Sequence, residues 1–187
     1  MVAAVGALVA AVGAGALVEA ARGDDPRPRP EVELRFGPED QEGNLEATDV
    51  TGEALPDTAF TTLDGRSASF ADYEGRPLVV NFLASWCVPC QDELPGFQAV
   101  HAELGQKVAF LGLNPNDRLE DATTFVESLG VTFDVGRDPH GELFEAFGVV
   151  GMPSTYFVSP TGEILGSAVG KLSADGLRSR IDALLLA

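Results

Sequence analysis

The sequence predicts an α/β sandwich built on a mixed sheet. Short apolar runs of strand length alternate with segments whose apolar residues recur at helical spacing. Near the end the alternation breaks: two strand-like runs flank Pro160-Thr161-Gly162, a turn signal, so they pair as a hairpin rather than through a crossover. The run Leu78 to Leu83 is almost wholly apolar, as in a central strand covered on both faces.

The elements follow in order. Thr58 to Leu63 and Ser67 to Phe70 flank Asp64-Gly65 and predict a short hairpin. Leu78 to Leu83 is the central strand. A helix is expected from Val88 to Leu104 with Gly105 as its stop, kinked at Pro95. Lys107 to Leu113 predicts the next strand. Asn116-Asp117 offers a helix cap ahead of Leu119, Ala122, Phe125, Val126 and Leu129 at helical spacing, with Gly130 ending the helix. Val131 to Val135 predicts a short strand and Gly141 to Phe147 a short helix closed by Gly148. Ser154 to Ser159 and Glu163 to Val169 form the closing hairpin. Ser173 caps a last helix through Leu186.

Three segments divide the chain of 187 residues. Residues 1–18 carry no charged side chain, and a helix of that length spans about 27 Å, close to a bilayer core. Residues 1–21 are therefore expected to be a signal or membrane anchor. Val18-Glu19-Ala20-Ala21 is a small-residue pattern of the kind a signal peptidase cuts. No cysteine lies there to accept a lipid. Arg22, Arg27 and Arg29 follow the apolar run, against the usual placement of positive charge. Residues 22–51 hold Pro26, Pro28, Pro30 and Pro38, several acids and few large apolar side chains, the composition of an extended linker. Residues 52–187 are expected to fold.

Composition excludes several functions. The net charge is −17 and no basic stripe is present, which argues against nucleic-acid binding. Hydrophobic residues make up 45%, enough for a full core. The two cysteines cannot build a multi-bridge framework, and with two histidines a four-ligand zinc site would take all of them. No metal and no cofactor is expected; His101 falls on the surface of a predicted helix and His140 in a loop.

The chemistry lies in Trp86-Cys87-Val88-Pro89-Cys90, which holds both cysteines just after the central strand. Two thiols at a strand-to-helix turn form a redox pair. Thiolate is the nucleophile, and unpaired N–H groups at a helix N-terminus lower a C-x-x-C thiol from about 8.5 to roughly 3.5–7.5. Cys87 takes that position as nucleophile, and Cys90, a turn further in, resolves the mixed disulfide. Pro89 falls in the first turn, where its missing N–H costs little. Trp86 either shields one side of the pair or packs in the core. Glu93 follows Cys90 by three residues on the same helix face, placed to pass protons to and from a buried thiol; most helix acids face water instead. Asp92 offers a helix-dipole partner. In Val150-Gly151-Met152-Pro153-Ser154-Thr155, a proline after glycine and before a strand is a site for a cis peptide.

These residues resemble the TlpA/ResA-like branch of the thioredoxin-fold proteins over roughly residues 52–187. The resemblance rests on Leu63-Asp64-Gly65, the run Asn81 to Cys90, Glu93-Leu94-Pro95, Gly148 to Val158, and Pro160-Thr161-Gly162-Glu163-Ile164. It implies a thioredoxin-like fold with an N-terminal hairpin and a central helix–strand insertion over about residues 118–135. It implies a cis peptide before Pro153, packed against the cysteines, and a Met152 backbone that pairs with an extended substrate segment. It raises Glu93 to a tuner of the buried thiol. Ordinary thioredoxins carry a buried Asp six residues before the first cysteine; this branch, like this chain, has Asn (Asn81). Leu83 and Ser154 depart from a common aromatic and a common Thr.

The leading expectation is a thiol–disulfide oxidoreductase on the extracytoplasmic side of the cell membrane, anchored by the N-terminal segment or secreted. It would reduce disulfides in protein substrates, for example in cytochrome c maturation; Val88-Pro89 resembles reducing members. A membrane thiol reductase as electron donor is implied by the resemblance alone, and a monomer is expected. Two alternatives stay open. A thiol peroxidase would need Pro-x-x-x-Thr/Ser-x-x-Cys, whereas Val80 and Ala84 precede Cys87, and Leu83 and Cys87 precede Cys90. A binding module that kept the fold would have no use for an intact cysteine pair.

Overall fold

A computed structural model describes residues 49–187. The apolar segment of residues 1–21 and nearly all of the linker of residues 22–51 lie outside the described residues.

The elements run β1 (Phe60–Thr62), β2 (Ser67–Ala68), a 3-10 turn (Phe70–Tyr73), β3 (Leu78–Phe82), α1 (Val88–Leu104), β4 (Ala109–Pro115), α2 (Leu119–Ser128), β5 (Asp134–Asp138), α3 (Glu142–Ala146), β6 (Ser154–Val158), β7 (Ile164–Val169) and α4 (Ala174–Leu185). They form one seven-stranded sheet in the order β2-β1-β5-β4-β3-β6-β7. β3, β4 and β5 are parallel, while β1, β2, β6 and β7 pair antiparallel, giving the mixed sheet of a thioredoxin-like fold.

Every residue of β3 is buried, as its apolar run requires. Alternation along the strand feeds two core layers. Val79 joins Leu94, Phe97 and Val100 of α1, Phe125 of α2, and Leu177 and Ile181 of α4. Leu78, Val80 and Phe82 join Phe70, Leu143, Phe147 and Tyr156 on the other face. Phe82, Phe147 and Tyr156 meet edge to face, with centroids 4.9–5.9 Å apart. The packed chain has begun by Val50, which is buried in the second layer, and Gly52 N donates to Ile164 O at 2.8 Å.

Several expectations shift. The first hairpin is shorter than the sequence suggests, because Ser69 leads into the 3-10 turn that sinks Phe70 into the core. β4 starts at Ala109 rather than Lys107, because the N–H groups of Lys107 and Val108 still bond Leu104 O at the end of α1. β5 starts at Asp134 rather than Val131: the amide of Thr132 donates to Gln98 Oε1 at 2.8 Å, which diverts that backbone from the sheet to α1. The Asn116-Asp117 cap is not made; Arg118 is the N-cap of α2 and has no side-chain cap bond. Leu119 lies exposed rather than on the buried face of α2. Pro95 lies within α1 on its exposed side, where its missing N–H is least costly. Ser173 caps α4 as expected, its hydroxyl accepting from Gly176 N at 3.0 Å. His101 is less exposed than its helix position suggested. Its ring stands edge-on to Phe110 and Phe133, and burial pushes its pKa down. His140 lies in the exposed turn after β5.

Candidate active site

β3 leads directly into the site. Its C-terminal end lies beside the C-terminal end of β4 and the first residue of β6, with Phe82 registered against Leu113 and Ser154. The chain leaves β3, turns through Leu83–Trp86 and enters α1 with Cys87 as N-cap. Cys87 Sγ accepts from Cys90 N at 3.3 Å, and Cys87 O accepts from Cys90 N and Gln91 N. One orphan donor of the helix start, Cys90 N, is thus turned onto the sulfur, while Gln91 N makes the first helical bond. The two cysteines are joined as a disulfide with Cα atoms 5.2 Å apart, within the normal range. Cys87 keeps 5% of its surface in solvent and Cys90 keeps none, so Cys87 is the reachable sulfur.

Pro89 lies exposed in the first turn of α1. Trp86 is not core: its side chain is 61% exposed, and Val88 beside it is also exposed. Just before β6, whose first residue pairs with the end of β3, the Met152–Pro153 peptide is cis. Pro153 is buried and its carbonyl accepts from Gly170 N at 2.8 Å, while Ser154 Oγ donates to Gly151 O at 2.7 Å, so the loop is tied at both sides. Met152 is half-buried and packs on the layer that contains both cysteines.

Glu93, one turn after Cys90, faces inward and is 2% exposed. Its Oε1 accepts from Asn81 Nδ2 at 2.9 Å and its Oε2 from Leu172 N at 3.0 Å. Burial raises its pKa from 4.5 to about 7, opposed by those two hydrogen bonds and by the nearby Lys171 ammonium. Asp92 is not a first-turn dipole partner; it lies in the second turn and pairs with Lys171 at 3.6 Å, both exposed.

The structure adds residues that the sequence reading did not place in the site. Asn81 Nδ2 also donates to Thr155 Oγ1 at 3.2 Å, so β6 steadies the amide with which β3 holds Glu93. The turn before Cys87 is held by Asn114 and Asp117 at the end of β4. A signal for both asparagines was present: each is a lone amide in an otherwise apolar buried strand, and a buried amide needs partners. Among the described residues no group of three or more His, Cys, Asp or Glu side chains is placed to hold a metal.

A cysteine pair at a helix N-terminus, opposite a cis-proline loop on a mixed sheet, defines a thioredoxin-like redox protein. Known proteins narrow the class. Residues 51–166 match the model of the AhpC/TSA family. The thiol–disulfide oxidoreductase ResA of Oceanobacillus iheyensis is 31% identical over 138 residues, 70% of this chain and 71% of that protein. The thiol:disulfide interchange protein HelX of Rhodobacter capsulatus is 30% identical over 154 residues, 80% of this chain and 85% of that protein. The solved structure of DsbF of MTB, in mixed oxidized and reduced forms, superposes with a TM-score of 0.66 at 32% identity, covering 72% of this chain and 99% of that one. The chain belongs to the AhpC/TSA family and, within it, to the ResA-like thiol–disulfide oxidoreductases.

Proposed function

We propose that the protein reduces disulfide bonds in other proteins outside the cytoplasm, with Cys87 as nucleophile, Cys90 as resolving thiol and Glu93 as proton carrier. The observation that carries this reading is the asymmetry of the pair: Cys87 is reachable at the helix cap, whereas Cys90 is sealed beside a buried carboxyl.

In the dithiol form the Cys87 thiolate, stabilised by the first N–H groups of α1, attacks a substrate disulfide. A bond forms between Cys87 Sγ and one substrate sulfur; the other leaves as thiolate and takes a proton from water. Cys90 gives its proton to Glu93 and attacks Cys87 Sγ. The internal disulfide closes and the second substrate thiolate departs, so two electrons pass to the substrate. A carboxyl titrating near 7 accepts and returns that proton at neutral pH. Trp86, Val88 and Val150 are large apolar side chains left exposed on the segments that flank the pair, and they suit an unfolded or extended protein segment laid along the Met152 backbone.

The apolar segment of residues 1–21 anchors or exports the chain, residues 22–51 serve as spacer, and residues 52–187 carry the activity as a monomer. A membrane thiol reductase restores the dithiol, and no cofactor takes part. Substrates such as apocytochrome c, whose cysteines must be reduced to take haem, fit the reducing direction. A peroxidase reading lacks its residues: Val80 and Ala84, where proline and a hydroxyl would stand before Cys87, are buried apolar side chains.

Two measurements test the reading. Equilibration with glutathione buffers should give a reducing potential; a value at the strongly oxidising end rejects the reductase assignment. In cells, Cys90→Ser should accumulate covalent adducts that dithiothreitol releases and whose protein partners can be identified, while Cys87→Ser should accumulate none. Rapid consumption of hydrogen peroxide by the wild-type chain would favour the peroxidase instead.

A further inference from the structure

Asp117 has no part in the chemistry above, yet it holds the turn that presents Cys87. It follows β4 in a tight bend in which Asn116 adopts the left-handed conformation, with φ 63°, tolerated better by asparagine than by most residues. The Asp117 carboxylate accepts from Ser85 N at 2.7 Å through Oδ2 and from Ser85 Oγ at 3.1 Å through Oδ1. Asn114 Nδ2 donates to the same Oδ2 at 2.8 Å and also to Leu83 O at 3.2 Å. Gln91 Nε2 of α1 donates to Ser85 O at 2.9 Å, and Leu83 N donates to Leu113 O at 3.0 Å. The backbone two residues before the nucleophile is thus gripped from β4, from the bend after it and from α1. Arg118, next in sequence, turns away to Glu120 and Asp121.

We infer that Asp117, with Asn114 and Ser85, is a positioning clamp that keeps Cys87 within closing distance of Cys90 when the pair is reduced. The inference rests on the exchange reading above. In the oxidised protein the S–S bond itself fixes the two residues. In the dithiol that constraint is gone. Cys90 is held in the body of α1, and Cys87 stands where its preceding turn is tied. A tied turn raises the effective concentration of one sulfur at the other, because positional freedom is given up on folding rather than at each closure. Disulfide closure joins the two sulfurs, releases two protons and hands two electrons to the bond being reduced; the clamp favours that closure and speeds resolution by Cys90.

The test uses the full chain equilibrated with reduced and oxidised glutathione at pH 7. Asp117→Ala should lower the equilibrium constant for closing Cys87–Cys90 about tenfold, equivalent to a rise of about 30 mV for a two-electron couple. Its mixed disulfide with glutathione should resolve more slowly. Asn114→Ala and Ser85→Ala keep the carboxylate charge and remove two and one of the clamp's hydrogen bonds; each should shift the constant in the same direction by about threefold. Gln98→Ala, which removes the two hydrogen bonds between Gln98 and Thr132, should leave it unchanged. A folded Asp117→Ala chain within twofold of wild type overturns the clamp. So does a shift in Asp117→Ala with none in Asn114→Ala and Ser85→Ala, since the charge alone would then be acting. If Asp117→Ala does not fold, the other two variants decide by the same criterion. A wild-type pair that does not titrate with glutathione overturns the exchange reading itself, and the clamp with it.

Discussion

Glu93 shows how one buried side chain ties proton affinity to stability. Burial lifts its pKa from 4.5 to about 7, so between those values the folded protein holds a proton that the unfolded chain has lost. Its stabilising share is complete below pH 4.5, falls as pH rises to 7 and is level above, a span on the order of 3 kcal/mol. Glu93→Gln should therefore flatten the slope of unfolding free energy across that window, measured by urea denaturation at stepped pH. The variant has a way to fit. Asn81 Oδ1 is buried without a partner, and a half-turn of that amide would offer an acceptor to the new Gln NH2. If Glu93 carries the Cys90 proton as proposed, the same variant should also slow disulfide exchange near neutral pH. Both effects depend on a carboxyl being sealed from water, and no periodicity in the sequence states that. Position 93 lies on the same helix face as Cys90, but only the closure of β3, β6 and the turn before α4 around it makes it buried.

Between elements, close approaches decide what the sheet tolerates. β5 passes β1 at Gly136, registered against Thr62, where an added Cβ would stand 2.5 Å from the ring of Phe60. Gly136→Ala should cost about 1–3 kcal/mol by overpacking, read as a lower urea midpoint with an unchanged slope. That glycine is invisible as a requirement until the strands are placed side by side. The helices were more legible. α1 occupies the predicted span Val88–Leu104 because its start is marked by the cysteine turn and Pro89, and its end by Gly105. The strand starts were less so. β4 and β5 each begin later than their apolar runs suggest, because α1 captures the backbone of Val108 through Leu104 and that of Thr132 through Gln98. Local pattern cannot register a competitor that arrives from elsewhere in the chain.

The whole chain carries a net charge of −17, and its unbalanced acids repel one another most in the compact state. Raising the salt concentration from about 10 mM to about 150 mM shortens the screening length from roughly 30 Å to 8 Å and should raise the melting temperature by a few degrees. A melting temperature that falls would mean the ion pairs outweigh the repulsion. Such repulsion depends on composition, and composition is fully present in the sequence. So are the α/β order and the place of the redox pair, since a cysteine just after a buried strand and just before a helix meets unpaired N–H groups in any protein. The bend at Asn116-Asp117 marks the limit. Read locally it is a helix cap, because acids and amides before an apolar periodicity cap helices. In the folded protein that carboxylate instead grips the backbone at Ser85, 32 residues earlier in the chain. Spacing along the chain could locate the two sulfurs. Which polar groups hold them was decided only when strands distant in sequence came to lie edge to edge, because a hydrogen bond answers to distance in space and carries no trace in local periodicity.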